Sequence, residues 1–237
     1  LALQWAPSLH ALTAAPAEGS VVLFDAATGR PARTWPGVRG GNFSLQWHPA
    51  NPVLAIGGAQ GSLRLFDAFS DHPLAEACLG KGFVERLGWS QVADCSPRPL
   101  AAACGRMVHL RSETLDPLRE CQSHGTVLDL DWNPLMEIFV TTHRNGLQMW
   151  LPSEERNPVD IDYPRAVLTV RWSPCGWHFA VGNHDATALI IDTKNMGCLR
   201  LGGFGGKVSQ LAWSADGRHL AVATCDARVA VFEIQTP

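Results

Sequence analysis

The sequence predicts an all-β chain, a β-propeller of four-stranded antiparallel blades with six repeat units visible. Three observations predict it. Six Trp recur at nearly constant spacing, a second apolar landmark recurs in the same register, and turn residues punctuate the chain between them. Composition agrees, since 22 Gly, 16 Pro and nine Trp suit many short strands better than helices.

The first strand of each unit ends on Trp5, Trp47, Trp89, Trp132, Trp172 or Trp213, at spacings of 42, 42, 43, 40 and 41 residues. The runs LALQW, FSLQW, ERLGW, LDLDW, LTVRW and SQLAW alternate with period two, which puts one face inward and one outward. Turns follow in APS, HPA, NPL, SPC and SAD, with SQV the exception; Pro lacks a donor N–H and stops the ladder. The second strand is HALTAA, VLAIGG, LAAAC, IFVTT, HFAVGN or HLAVAT, rich in the small residues expected where strands crowd around a central axis. Tight turns at Glu18-Gly19, Gln60-Gly61, Gly105, Asn145-Gly146, Asp185 and Asp226 lead to the third strand. That strand ends on Phe24, Phe66, Leu110, Trp150, Ile191 or Phe232, spaced 42, 44, 40, 41 and 41 apart, so two landmarks keep one register. A weaker fourth strand is expected near 32–35, 74–79, 118–122, 159–163 and 198–201.

These units resemble the WD-repeat family along the whole chain. Its strand-end Trp-Asp stands here as Phe24-Asp25, Phe66-Asp67 and Ile191-Asp192, weakens to Phe232-Glu233 and Trp150-Leu151, and is lost at Leu110-Arg111. Its Gly-His survives only in Ser123-His124-Gly125. The resemblance implies a hydrogen-bonded structural set in blade four from His124, Thr142, Asn145 and Trp150, with Asn145 in place of Asp. It also implies that an N-terminal strand completes the last blade, which here ends at its third strand, Arg228–Ile234. The chain opens at Leu1 in a first-type strand, so residues 1–237 are expected to be a single propeller domain without that closing strand. A seven-bladed parent lacking one blade is the expectation, a six-bladed ring the alternative.

A net charge of −3 gives no general basic field, so no nucleic-acid partner is expected. No apolar run is long enough to cross a membrane. Seven Cys without a CxxC, most in apolar strand-like settings, suit buried reduced thiols and a cytoplasmic location. The triplet Asn42-Phe43-Ser44 falls in a strand and is read as a chance glycosylation pattern.

No catalytic residue and no cofactor emerge. GxSxG, HExxH and DxDxDG patterns are absent. Gly202–Lys207 resembles a phosphate loop, but Leu201 and Val208 break the pattern and a strand follows, so it reads as a connector between blades. His143, His184 and Cys225 occupy matching turns on successive blades, too far apart for one zinc ion, so no metal is assigned. Asp25, Asp67 and Asp192 are read as turn caps, and Asp129 and Asp131 as outer-face residues. The leading expectation is therefore a non-catalytic scaffold, a monomeric propeller within a complex of protein partners. A metal- or ligand-responsive protein using rim His and Cys is the first alternative, and a hydrolase with a channel-mouth pocket the second.

In WD-repeat proteins partners often touch the start of the first strand and the turn after the second. Counting back from each Trp carries those positions to Phe43, Phe83, Glu85, Thr126, Leu128, Ala166, Leu168, Lys207 and Ser209, and to the turn residues Ala17, Ala59, Arg144, His184 and Cys225. Phe43, Phe83, Leu128 and Leu168 form an expected apolar arc on the top face of blades two to five. Tyr163, beside Pro164 and Arg165, is either an interface residue or a packed connector, and Trp177, after Cys175-Gly176, is expected to be partly exposed.

Overall fold

Every Trp-ended run forms the first strand of its own antiparallel sheet, because period-two alternation and a Pro- or Gly-bearing turn dictate a local meander. A computed structural model describes residues 2–7, 9–38, 40–93, 97–153 and 157–234. The first sheet holds β1 (Ala2–Ala6), β2 (Ala11–Ala15), β3 (Val21–Asp25) and β4 (Pro31–Trp35). The second holds β5 (Asn42–Trp47), β6 (Val53–Gly58), β7 (Ser62–Asp67) and β8 (Pro73–Cys78), and the third β9 (Val84–Trp89), β10 (Leu100–Cys104), β11 (Met107–Arg111) and β12 (Pro117–Gln122). The fourth comprises β13 (Asp129–Trp132), β14 (Phe139–His143), β15 (Gly146–Trp150) and β16 (Val159–Asp162). The fifth comprises β17 (Val167–Trp172), β18 (His178–Asn183), β19 (Ala188–Asp192) and β20 (Cys198–Leu201). The sixth has three strands among the described residues, β21 (Val208–Trp213), β22 (His219–Thr224) and β23 (Val229–Glu233). Along β23, Val229 and Val231 are exposed.

These sheets group into two compact units, β1–β12 in one and β13–β23 in the other. Inside each unit, consecutive first strands lie side by side: β5 between β1 and β9, and β17 between β13 and β21. The crowding expected of the second strands thus belongs to the first. Small residues on the second strands serve the approach of the next sheet instead. A Cβ on Gly57 would sit 2.3 Å from Ser44 Oγ and 2.7 Å from Val84 Cγ1, and one on Gly182 2.4 Å from Val208 Cγ1.

Apolar residues fill the layers between sheets. In the first unit Trp35, Trp47, Leu54, Ile56 and Phe66 pack together, with the Trp35 and Phe66 ring centroids 5.8 Å apart. In the second, Val140, Leu147, Val170, Trp172, Phe179 and Ile191 form the equivalent layer. Losing one buried Trp from such a layer costs about 3–5 kcal/mol. The repeated Trp are not equal, however. Trp47, Trp89, Trp132 and Trp172 are buried and Trp213 half-buried, while Trp5 is 61% exposed.

Side chains also stitch first strands together. Gln4 accepts the Trp47 N–H at 2.9 Å, and Asp131, in the matching position, accepts the Trp172 N–H at 2.7 Å. Asp129 is buried and accepts from Thr169 Oγ1 at 2.8 Å, Val170 N at 3.1 Å and Arg171 Nη1 at 2.7 Å. This corrects the outer-face reading of Asp129 and Asp131: both are spent on the neighbouring sheet. The turn-cap reading of the strand-end carboxylates holds, since Asp25, Asp67 and Asp192 accept the N–H groups of Thr28, Phe69 and Lys194.

Candidate functional site

In four repeats the first strand slips by one residue at one place. Phe43, Glu85, Leu168 and Ser209 are each the extra residue of a β-bulge, and each stands four positions before its Trp. A bulge bends the strand and re-aims the extra side chain. The positions carried over from the family therefore coincide with a backbone device that no residue pattern had announced.

Phe43 shows the device most fully. Its neighbours are both held inward. Asn42 is buried, donates to Pro16 O at 3.0 Å and Gly19 O at 3.1 Å, and accepts the Val38 N–H at 2.9 Å. Ser44 donates to Val84 O at 2.6 Å, fastening β5 to β9. The amide of the glycosylation-like triplet is thus occupied inside the fold. Phe43 itself remains 41% exposed, and Phe83, just ahead of β9, 50% exposed. Their ring centroids lie 4.7 Å apart, inclined at 45°. Glu85 is half-buried two residues further on. Two exposed aromatic rings from successive repeats thus share one small surface. Of the expected turn positions in this unit, Ala17 is exposed and Ala59 buried.

In the second unit Arg144, His184, Lys207 and Cys225 are exposed, while Leu128, Ala166 and Leu168 are half-buried. In the fifth and sixth sheets the two kinds of expected position meet: His184 N donates to Ala166 O at 2.9 Å, and Cys225 N to Lys207 O at 3.0 Å. His143 is buried, accepts the Asn145 N–H at 3.2 Å on Nδ1, and burial holds its imidazole below the ordinary pKa, helped by nearby His124. Among the described residues no group of three or more His, Cys, Asp or Glu is placed to hold a metal ion. Gly202–Lys207 runs between β20 and β21 with no helix behind it.

The family-type set of blade four assembles differently from its expected form. The Trp150 indole donates to Thr141 Oγ1 at 2.8 Å, while Thr142 Oγ1 faces Asp129 O at 3.5 Å. Phe139 pairs with Trp150, so Thr141 shares their face and Thr142 points away. His124 uses its backbone N–H on Gln148 Oε1 at 3.0 Å, which also accepts from Ser123 Oγ at 2.8 Å. Gln148 Nε2 then donates to Asp160 Oδ1 at 2.8 Å, and His124 Nδ1 lies 3.3 Å from the same oxygen. Sequence reasoning missed Gln148, whose buried mid-strand amide was the available signal.

Tyr163 is half-buried and donates to Asp185 Oδ2 at 3.0 Å, as a packed connector does, and Trp177 is 43% exposed. The cysteines depart from the buried expectation. Cys121 is buried, Cys104 and Cys175 are half-buried, and Cys78, Cys198 and Cys225 are exposed free thiols; Cys95 lies outside the described residues.

The family profile "WD domain, G-beta repeat" matches residues 198–233, which hold β20 through β23. Two curated relatives are similar over part of the chain. "Eukaryotic translation initiation factor 3 subunit I" of Drosophila willistoni is 28% identical over 92 residues, 38% of this chain and 29% of that protein. Its counterpart in Drosophila grimshawi is 27% identical over 92 residues, 38% of this chain and 28% of that protein. The match thus spans under a third of the length of either relative. No helix among the described residues is long and apolar enough to cross a membrane.

Proposed function

We propose, on the premise that the chain belongs to the WD-repeat family, that it is a non-catalytic scaffold whose first unit binds a partner protein through the surface carrying Phe43 and Phe83. The observation that carries this reading is the exposed aromatic pair, 41% and 50% open with centroids 4.7 Å apart, fixed by a bulge on one side and buried polar anchors on the other. Aromatic side chains on a rigid backbone lose little entropy on association and are enriched in the residues that dominate protein interfaces. Glu85 at the margin supplies the polar rim. Arg144, Leu128, Leu168, His184, Lys207 and Cys225 are proposed as contacts of the second unit on the same positional logic. The relatives are named as subunits of a factor, which supports a place within a protein complex here. Free thiols on the surface suit a reducing compartment, so a cytoplasmic location is part of the proposal.

The test replaces both rings, Phe43→Asp with Phe83→Asp, in tagged chain used to capture proteins from a lysate, with bound proteins quantified by mass spectrometry. The proteins held by the unaltered chain should be lost from the double variant while its circular dichroism and melting temperature persist. Unchanged capture by a folded double variant would remove this surface from the binding role.

A further inference from the structure

The turn between β17 and β18 repeats two backbone hydrogen bonds of the turn between β21 and β22. Ser173 N donates to His178 O at 2.9 Å, and Ser214 N to His219 O at 2.9 Å. Gly176 N donates to Ser173 O at 2.9 Å, and Gly217 N to Ser214 O at 2.9 Å. Both glycines take the left-handed conformation, at φ 71° and 69°. In the sixth sheet this frame cradles an anion. Asp216 accepts from Ser214 Oγ at 2.5 Å and Arg218 N at 3.0 Å, and the Ser214 bond leads the contacts that hold its carboxyl below the usual range.

In the fifth sheet Cys175 occupies the place of that carboxylate. Its Sγ lies 3.4 Å from Ser173 Oγ and 3.5 Å from His178 Nδ1, and the Trp177 N–H also bonds it. His178 has Asp192 behind it, with Nε2 3.8 Å from Oδ2. The thiol thus has an imidazole nitrogen within sulfur hydrogen-bond reach, and that imidazole has a carboxylate within ion-pair distance, groups of the kind that activate a thiol. From the β13–β14 turn, Asn133 donates to Gly176 O at 2.8 Å and Leu135 lies beside Gly176. Cys175 is a half-buried residue, within reach of a small reagent.

We propose that Cys175, with His178 and Asp192, is a reactive thiol that forms a mixed disulfide with low-molecular-weight disulfides. The Cys175 proton passes to His178 Nδ1 or to solvent. The thiolate attacks one sulfur of the reagent, the new S–S bond forms as the old one breaks, and the departing thiolate takes up a proton. Cys175 is oxidised and half of the reagent is reduced to a thiol, so electrons balance.

Burial pushes this thiol up, but the hydrogen bonds from Ser173, His178 and the Trp177 N–H prevail and bring it from 9.0 to about 7. At pH 7 about half of such a thiol is ionised, against about 1% of one at 9.0, a roughly 50-fold gain in thiolate. A less basic thiolate is also about 8-fold less nucleophilic, so Cys175 should react roughly 6-fold faster than an ordinary cysteine.

The experiment treats the reduced full chain with glutathione disulfide at pH 7 and maps the adducts by peptide mass spectrometry over time. Iodoacetamide labelling across pH 5–10 then gives the midpoint at each cysteine. Cys175 should be modified ahead of exposed Cys198 and Cys225, with a midpoint near 7, and His178→Gln and Ser173→Ala should raise that midpoint and slow the reaction. Cys175→Asp, which restores the cradle's carboxylate, should fold and lose the labelling. Modification of Cys198 or Cys225 ahead of Cys175, or a Cys175 midpoint near 9, overturns the proposal. The unaltered chain decides the matter even where a variant fails to fold.

Discussion

Replacing Asp131 with Asn should change how stability depends on pH, by an amount set by its place between β13 and β17. Burial lifts the Asp131 carboxyl from 3.8 to about 6, with Asp129 adding to the rise while Arg171 and the N–H groups of Trp172 and Trp132 oppose it. A carboxyl with a folded pKa above its unfolded value binds its proton more tightly in the folded chain. Its favourable contribution is therefore complete below pH 3.8 and is lost as pH rises through about 6. At about 1.4 kcal/mol per tenfold change in proton affinity, the loss amounts to about 3 kcal/mol. Asn keeps a carbonyl to accept the Trp172 N–H, held at 2.7 Å in the native chain, and carries no charge. Urea unfolding at pH 4, 5, 6 and 7, followed by Trp fluorescence, gives the stability difference between variant and native chain. That difference should move in favour of Asp131→Asn by about 2 kcal/mol between pH 4 and pH 7, most of the full linkage. Parallel stability curves for the two chains, or a drift in the opposite direction, would refute the reasoning.

Other substitutions separate residues that look alike in the sequence. Trp150→Phe removes the donor to buried Thr141 Oγ1 and should cost about 1–3 kcal/mol in a denaturation curve, because a buried hydroxyl loses its partner. Trp5→Phe, at a 61% exposed position, should stay within about 0.5 kcal/mol of the native chain in the same assay. Gly57→Ala and Gly182→Ala each drive a methyl to within 2.4 Å of a neighbouring side chain, and calorimetry should register a loss of about 1–3 kcal/mol. A melting temperature unchanged by either would mean that the neighbouring strands yield.

Much of the fold was legible because its signals are local. Alternation in LDLDW or LTVRW, and the turns after them, require only adjacent residues, and the four-strand units appear where those signals put them. The fourth strand expected near 198–201 is Cys198–Leu201, and the one near 118–122 is Pro117–Gln122. The site was legible only in part. Phe43 and Phe83 were found by counting from Trp47 and Trp89, but their contact depends on two repeats meeting, which no single strand encodes. The family resemblance points to Thr142, whereas strand parity with Phe139 and Trp150 puts Thr141 under the indole.

The sequence by itself determined the repeat period, the strand order within each sheet and the turn chemistry, since these follow from residues a few positions apart. Tertiary structure decided which of the repeated Trp are buried, because that depends on the sheet packed against each one. It decided that Asp129 and Asp131 face a neighbouring strand, because the next sheet's first strand lies against β13, and that Phe43 points outward, because a one-residue slip between paired strands reverses the local side-chain direction. It also placed Asp192 behind His178 and Cys175, giving an ordinary turn the groups that can activate a thiol.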